Sequence, residues 1–148
     1  MAGDGPGRQQ LRAHRQIFWD AWQKSRAGLP LNALEVRIVR VIGLHPEYHH
    51  YFDDMEAFLD RDFYPGDGMN PYLHLSLHLA LEEQIAIHQP PETGRALEYM
   101  ITHRHMNRHD ALHLLLEILA ETVYLAQRAG REPDTAAYVR QVRELMGS

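Results

Sequence analysis

The segment Asn70–His88, NPYLHLSLHLALEEQIAIH, leaves this chain few ways to fold. Asn70 has the side chain of a helix N-cap, and Pro71 follows at the position where a missing N–H costs nothing. Pro90 and Pro91 mark the far end. Between these signals Tyr72, Leu73, Leu75, Leu77, Leu79, Leu81, Ile85 and Ile87 fall on nearly every side of a helix. A helix apolar all round is expected to be buried all round. His74 and His78 nevertheless sit inside it, one turn apart on one face. A buried imidazole needs a partner, so the pair reads either as a hydrogen-bonded core element or as half of a metal site.

A second segment repeats the pattern. His109–Arg128, HDALHLLLEILAETVYLAQR, is apolar except for His109, His113, Glu117 and Glu121. Steps of four rotate each of these about 40° from the last, which draws one slowly winding polar stripe on a greasy helix. Four ionisable groups facing a core would be severely destabilising if left unpaired. A divalent cation is one agent that satisfies them all, and imidazole with carboxylate suits zinc, iron, manganese or nickel.

The chain has eleven histidines, and at that frequency chance gives about one His-x3-His pair. Four occur: 45/49, 74/78, 105/109 and 109/113. The pair through His105 crosses a weakly marked break at Met106–Arg108 and is discounted. His14, His50, His88 and His103 lie in amphipathic or loop contexts and read as solvated. There is no cysteine, which excludes thiolate metal sites, disulfides and cysteine nucleophiles. A net charge of −5 with no basic stripe argues against nucleic acid as a partner. No apolar run reaches the roughly 20 residues of a bilayer span, and MAGDGPGRQQ has no apolar core of a signal peptide. The expectation is a soluble cytoplasmic protein without a membrane partner.

In chain order, residues 1–7 are Gly-rich and expected to be loose, with a single helical domain over 8–148. Arg8–Arg26 reads as an amphipathic helix closed by Gly28 and Pro30. Asn32 opens the next helix, with Glu35 completing a capping box. Pro46 starts a new helical turn that sets His45 just before it and His49 one turn on. Asp53 or Asp54 caps a short helix through Leu59, and Asp60–Met69 carries turn chemistry. Gln89–Gly94 reads as loop and Arg95–His105 as a short helix. Gly130 is placed to end the His109–Arg128 helix, and Pro133-Asp134 to start a last one over Thr135–Met146. No segment alternates as a half-buried strand does. The fold expected is an all-α bundle of about six helices.

Other residues carry weaker signals. Trp19 and Trp22 suit a core or groove, and Arg26, Arg61, Arg128 and Arg131 suit the surface. Asp60 and Asp62 are within reach as extra carboxylates. No Gly-rich phosphate loop and no nucleophile elbow is present.

His45-Pro46-Glu47-Tyr48-His49, Asn70-Pro71-Tyr72-Leu73-His74, Leu75 through Ala80, Glu83-Gln84, Gln89-Pro90-Pro91, and Glu117 and Glu121 followed by Ala126-Gln127-Arg128 resemble a bacterial family catalogued as domain of unknown function 1841. The resemblance covers nearly the whole chain and implies a self-contained helical domain, with no activity to carry over. Helical spacing leaves both Glu82 and Glu83 open as the carboxylate beside His78; the resemblance favours Glu83. It also sets His88 where the family more often has an acidic residue, so His88 is not read as a ligand. In layout, His113-x3-Glu117 and His74-x3-His78 are similar to the pairs of hemerythrin-like sites, whereas the Glu-x-x-His motifs of ferritin-like di-iron proteins are absent.

The leading expectation is a metal-binding bundle holding one or two first-row transition ions (iron, zinc or manganese) through His45, His49, His74, His78, Glu83, His109, His113, Glu117 and Glu121. Tyr48 and Tyr124 would support the ligands. An open coordination position would admit dioxygen, peroxide or a small molecule, for oxygen or hydrolytic chemistry; the residues do not decide whether the protein is an enzyme. The rival expectation is a non-catalytic interaction domain whose core holds His–Glu hydrogen bonds.

Overall fold

A computed structural model describes residues 6–60 and 70–147. Among these residues every regular element is helical: seven α-helices and one 3₁₀ segment, against the six or so expected. The chain gathers into two compact units, Met1–Ser76 and Leu77–Ser148.

The first unit holds α1 (Pro6–Arg26), α2 (Ala33–Gly43), a 3₁₀ segment (Pro46–Asp53), α3 (Met55–Leu59) and the opening residues of α4 (Pro71–Ile87). Asn32 caps α2 as its sequence demands. Its side chain accepts from the Glu35 amide at 2.8 Å, and the Glu35 carboxylate accepts from the Asn32 amide at 2.9 Å. Lys24 of α1 then binds Glu35 at 2.8 Å, tying α2 to the helix it packs on. Phe18, Ala21, Ile38, Val41, Ile42, Phe52 and Phe58 are buried in this unit. Trp19, half-buried, stacks on Phe52 and Phe58 at the edge of this core. Arg15 is buried as well, donating to the carbonyls of Phe58 and Leu59 at the end of α3. Asp54 accepts from the Glu56 amide and is the cap of α3. The expected turn over Asp60–Met69 lies, from residue 61 on, outside the described residues, as do residues 1–5.

The second unit holds the remainder of α4 with α5 (Pro91–His103), α6 (Arg108–Ala129) and α7 (Thr135–Glu144). Its core joins Leu77 and Leu81 to Ala96, Leu97, Met100, Leu112, Leu115, Leu116, Tyr138 and Val142. Gln84, Thr93 and Tyr138 form a polar knot within it: Thr93 Oγ1 and Tyr138 Oη donate to Gln84 Oε1 at 2.8 and 2.9 Å. The knot ties α4, α5 and α7 together and satisfies polar groups that burial would otherwise penalise.

Several boundaries and one burial pattern differ from the sequence reading. Helix α1 already runs from Pro6, inside the segment expected to be loose, and α5 ends at His103, not His105. Helix α5 starts at Pro91, not Arg95, because Pro91 takes the first helical position after an extended Pro90 and needs no amide partner there. Helix α6 starts at Arg108, capped by Asn107, whose side chain accepts from the Asp110 amide at 2.8 Å. Helix α7 ends at Glu144, short of Met146. Leu75, Leu77, His78 and Leu81 of α4 are buried, but Leu73 and Ile87 are 39% and 60% exposed, so α4 is not buried all round. Two helices end on histidines in the left-handed region. His88 (φ 58°) and His105 (φ 56°) each allow the next amide to reach back, Gln89 to the Gln84 carbonyl and Met106 to the Met100 carbonyl. No helix among the described residues is long and apolar enough to cross a membrane.

Candidate metal centre

His45 is placed by two constraints. The C-cap of α2 is the residue before it, Leu44, and Pro46 disfavours helical backbone in the residue that precedes it, so His45 sits at φ −125°, ψ 67°. Its ring is 1% exposed, and Nδ1 lies 2.7 Å from the Val41 carbonyl. A carbonyl only accepts, so Nδ1 carries the proton and Nε2 presents a lone pair. That lone pair faces His74 of α4, Nε2 to Nε2 at 3.0 Å, with the rings edge to face. Tyr48 lies parallel to the His45 ring at 5.7 Å and edge-on to His74. It packs beside the pair, and burial pushes its phenol up from the ordinary range.

One turn further along α4, His78 is wholly buried. It faces His113 of α6, ring centroids 5.9 Å apart and nearly perpendicular. Burial holds the His113 imidazole below its ordinary pKa, and the neighbouring His109 and His78 add to this. The neutral form thus favoured is the form that binds metals. Each pair lies within one compact unit, and one continuous helix carries a member of each: His74 and His78 stand one turn apart on α4. Bonds of 2.0–2.1 Å in a tetrahedron separate ligand nitrogens by about 3.4 Å. The His45–His74 spacing, 3.0 Å, is already near that value.

Glu82, one turn beyond His78, brings a carboxylate to the edge of the group. Its Oε1 is 3.6 Å from His78 Nε2. Arg108 grips both oxygens, at 2.8 and 3.0 Å. His78 and then Arg108 pull the carboxyl down to about 2 against an opposing effect of burial, so it is an anion at neutral pH. Of the two glutamates that helical spacing left open, Glu82 is the one that meets His78. The signal was the unbroken step of four through 74, 78 and 82.

The remaining candidate residues fall elsewhere. His49 donates Nε2–H to the Ile42 carbonyl at 2.9 Å and packs on Trp22. A four-residue step through 3₁₀ geometry turns about 120°, against about 40° in an α-helix, so His49 does not follow His45 to the group. Glu83 is half-buried and outside the four. His109 is exposed, with its ring 4.1 Å from that of His113. Glu117 and Glu121 are exposed, since each step of four carries the stripe a further 40° away from His113. Tyr124 is 54% exposed and bonded to Arg128, away from any supporting role. Asp60 pairs with Arg12, and Asp62 and Arg61 lie outside the described residues.

No curated protein and no solved structure matches the chain. A family model does: the one described as a domain of unknown function (DUF1841) matches residues 9–144. The paired histidines thus sit inside the matched region, and the chain belongs to the DUF1841 family.

Proposed function

We propose that this protein binds a first-row transition-metal ion through His45, His74, His78 and His113. The observation that carries the reading is a pair of facing imidazoles in each compact unit, His45 with His74 and His78 with His113, with His45 and His78 almost completely buried. Neutral imidazoles on facing elements are the donors that a transition-metal ion takes. The donor set narrows the metal. Imidazole suits zinc, iron, copper and nickel, whereas magnesium, calcium and manganese favour oxygen. With no carboxylate among the four, zinc and iron fit better than manganese. Four protein ligands close a tetrahedral zinc site, which favours binding or structure over catalysis. An ion of higher coordination number keeps positions for water, dioxygen or a small molecule.

The test is a calorimetric titration of metal-free protein with zinc and, under anaerobic conditions, iron(II). The expected result is one ion per chain, and loss of that binding in the His78→Ala, His113→Ala double variant. A chain that takes up neither ion contradicts the reading.

A second reading has one observation in its favour. The 3.0 Å approach of His45 and His74 is also a good neutral hydrogen bond. In that case the histidines would be the polar core of a non-catalytic interaction domain. Added metal would then leave the unfolding temperature unchanged.

A further inference from the structure

His78 is the most deeply buried of the four histidines. It is wholly buried, and the carboxylate one turn above it stands 3.6 Å from its Nε2. That carboxylate is not free to swing away. Arg108 donates to Oε1 at 2.8 Å and to Oε2 at 3.0 Å, a two-pronged grip that fixes both the position and the plane of the group. Arg108 is in turn the first residue of α6, whose start is set by the Asn107 cap. The glutamate is therefore held from a second helix while it faces the histidine on its own.

An anion beside one ring nitrogen favours the tautomer with the proton on that nitrogen. For His78 the proton then belongs on Nε2, and the lone pair on Nδ1. His45 shows the opposite choice, because its Nδ1–H is given to the Val41 carbonyl. We infer that His78 binds the ion through Nδ1, with Nε2–H turned to Glu82, whereas His45 binds through Nε2. Glu82 and Arg108 are positioning residues that select the tautomer of His78. This rests on the metal reading above.

Two consequences follow from the mixed ligation. A carboxylate behind a ligating imidazole fixes its orientation and raises its basicity. It also brings one negative charge near a cation whose four direct ligands are neutral.

The experiment uses the full chain labelled with ¹⁵N in its histidines and loaded with zinc. Long-range ¹H–¹⁵N spectra report which nitrogen of each ring carries the proton and which is bound. The expected pattern is His78 with Nε2–H and zinc on Nδ1, and His45 with Nδ1–H and zinc on Nε2. Glu82→Gln keeps the size of the side chain and removes its charge; it should weaken zinc binding by about 10- to 100-fold. Zinc on Nε2 of His78 overturns the inference and leaves the metal reading standing. So does a Glu82→Gln variant that folds and binds zinc as the unaltered chain does. Failure of the unaltered chain to bind zinc or iron(II) overturns both. If Glu82→Gln does not fold, the spectra of the unaltered protein alone decide.

Discussion

His45 and His74 meet Nε2 to Nε2 at 3.0 Å, and between two such nitrogens only one proton fits. The His45 proton is committed to Val41 on the other side of its ring, so in the metal-free protein His74 donates and His45 accepts. His74→Ala removes that bond from an imidazole that is 1% exposed. The expected cost is about 1–3 kcal/mol in urea unfolding of the metal-free chain, the range for a buried acceptor losing its donor. The same variant should lose zinc binding. An unchanged unfolding midpoint would mean that the pair contributes nothing.

Metal should stabilise the folded chain by mass action. Zinc at about 100 times its dissociation constant adds about 2.7 kcal/mol if the unfolded chain does not bind it. For a protein of 148 residues this is a rise of roughly 5–10 °C in unfolding temperature. His78→Ala with His113→Ala should abolish the rise. A rise that survives in the double variant would place the ion elsewhere.

The cap of α2 gives a prediction independent of metal. Asn32→Ala removes the acceptor for the Glu35 amide and should cost about 1 kcal/mol. Glu35 also gives a pH dependence. Its carboxyl is held below the ordinary 4.5, first by the Asn32 amide and then by Lys24. The unfolded chain therefore binds this proton more readily, so the contribution is complete above pH 4.5 and fades as pH falls through the lower folded value. Glu35→Gln should flatten the stability profile in that acid window and leave its shape above pH 6 unchanged. An identical acid limb in the variant would refute the assignment.

The left-handed histidines give a further prediction. At φ 58° and 56°, His88 and His105 occupy backbone that glycine adopts without strain. Each is exposed, so substitution disturbs no core. His88→Gly and His105→Gly should each raise stability by up to about 1 kcal/mol, whereas valine at either position should lower it. Zinc affinity should not change in the glycine variants, because neither residue belongs to the group of four.

Much of this was legible in the sequence, for physical reasons. Helix ends were readable where a side chain does the capping: Asn32, Asn70 and Gly130 stand where their chemistry puts them. The start of α5 was misread because proline both ends and begins helices, and only the backbone on each side tells which. The 74/78 pair and His113 were readable because a polar residue on a greasy face is rare. The drift of Glu117 and Glu121 to the surface was not, because a step of four looks like one face over a single turn and leaves it over two. His49 was hidden by the 3₁₀ geometry after Pro46. Glu82 was one of two carboxylates that spacing left open; the grip of Arg108, from a helix 26 residues on, is what spacing within one helix cannot show.

The most direct measurement is the elemental content of the untagged protein, purified without chelator and exchanged into metal-free buffer. The account predicts close to one equivalent of a single imidazole-binding metal per chain, and substoichiometric traces in the His78→Ala, His113→Ala variant. Metal-free protein that stays metal-free after incubation with zinc and iron(II) would contradict it.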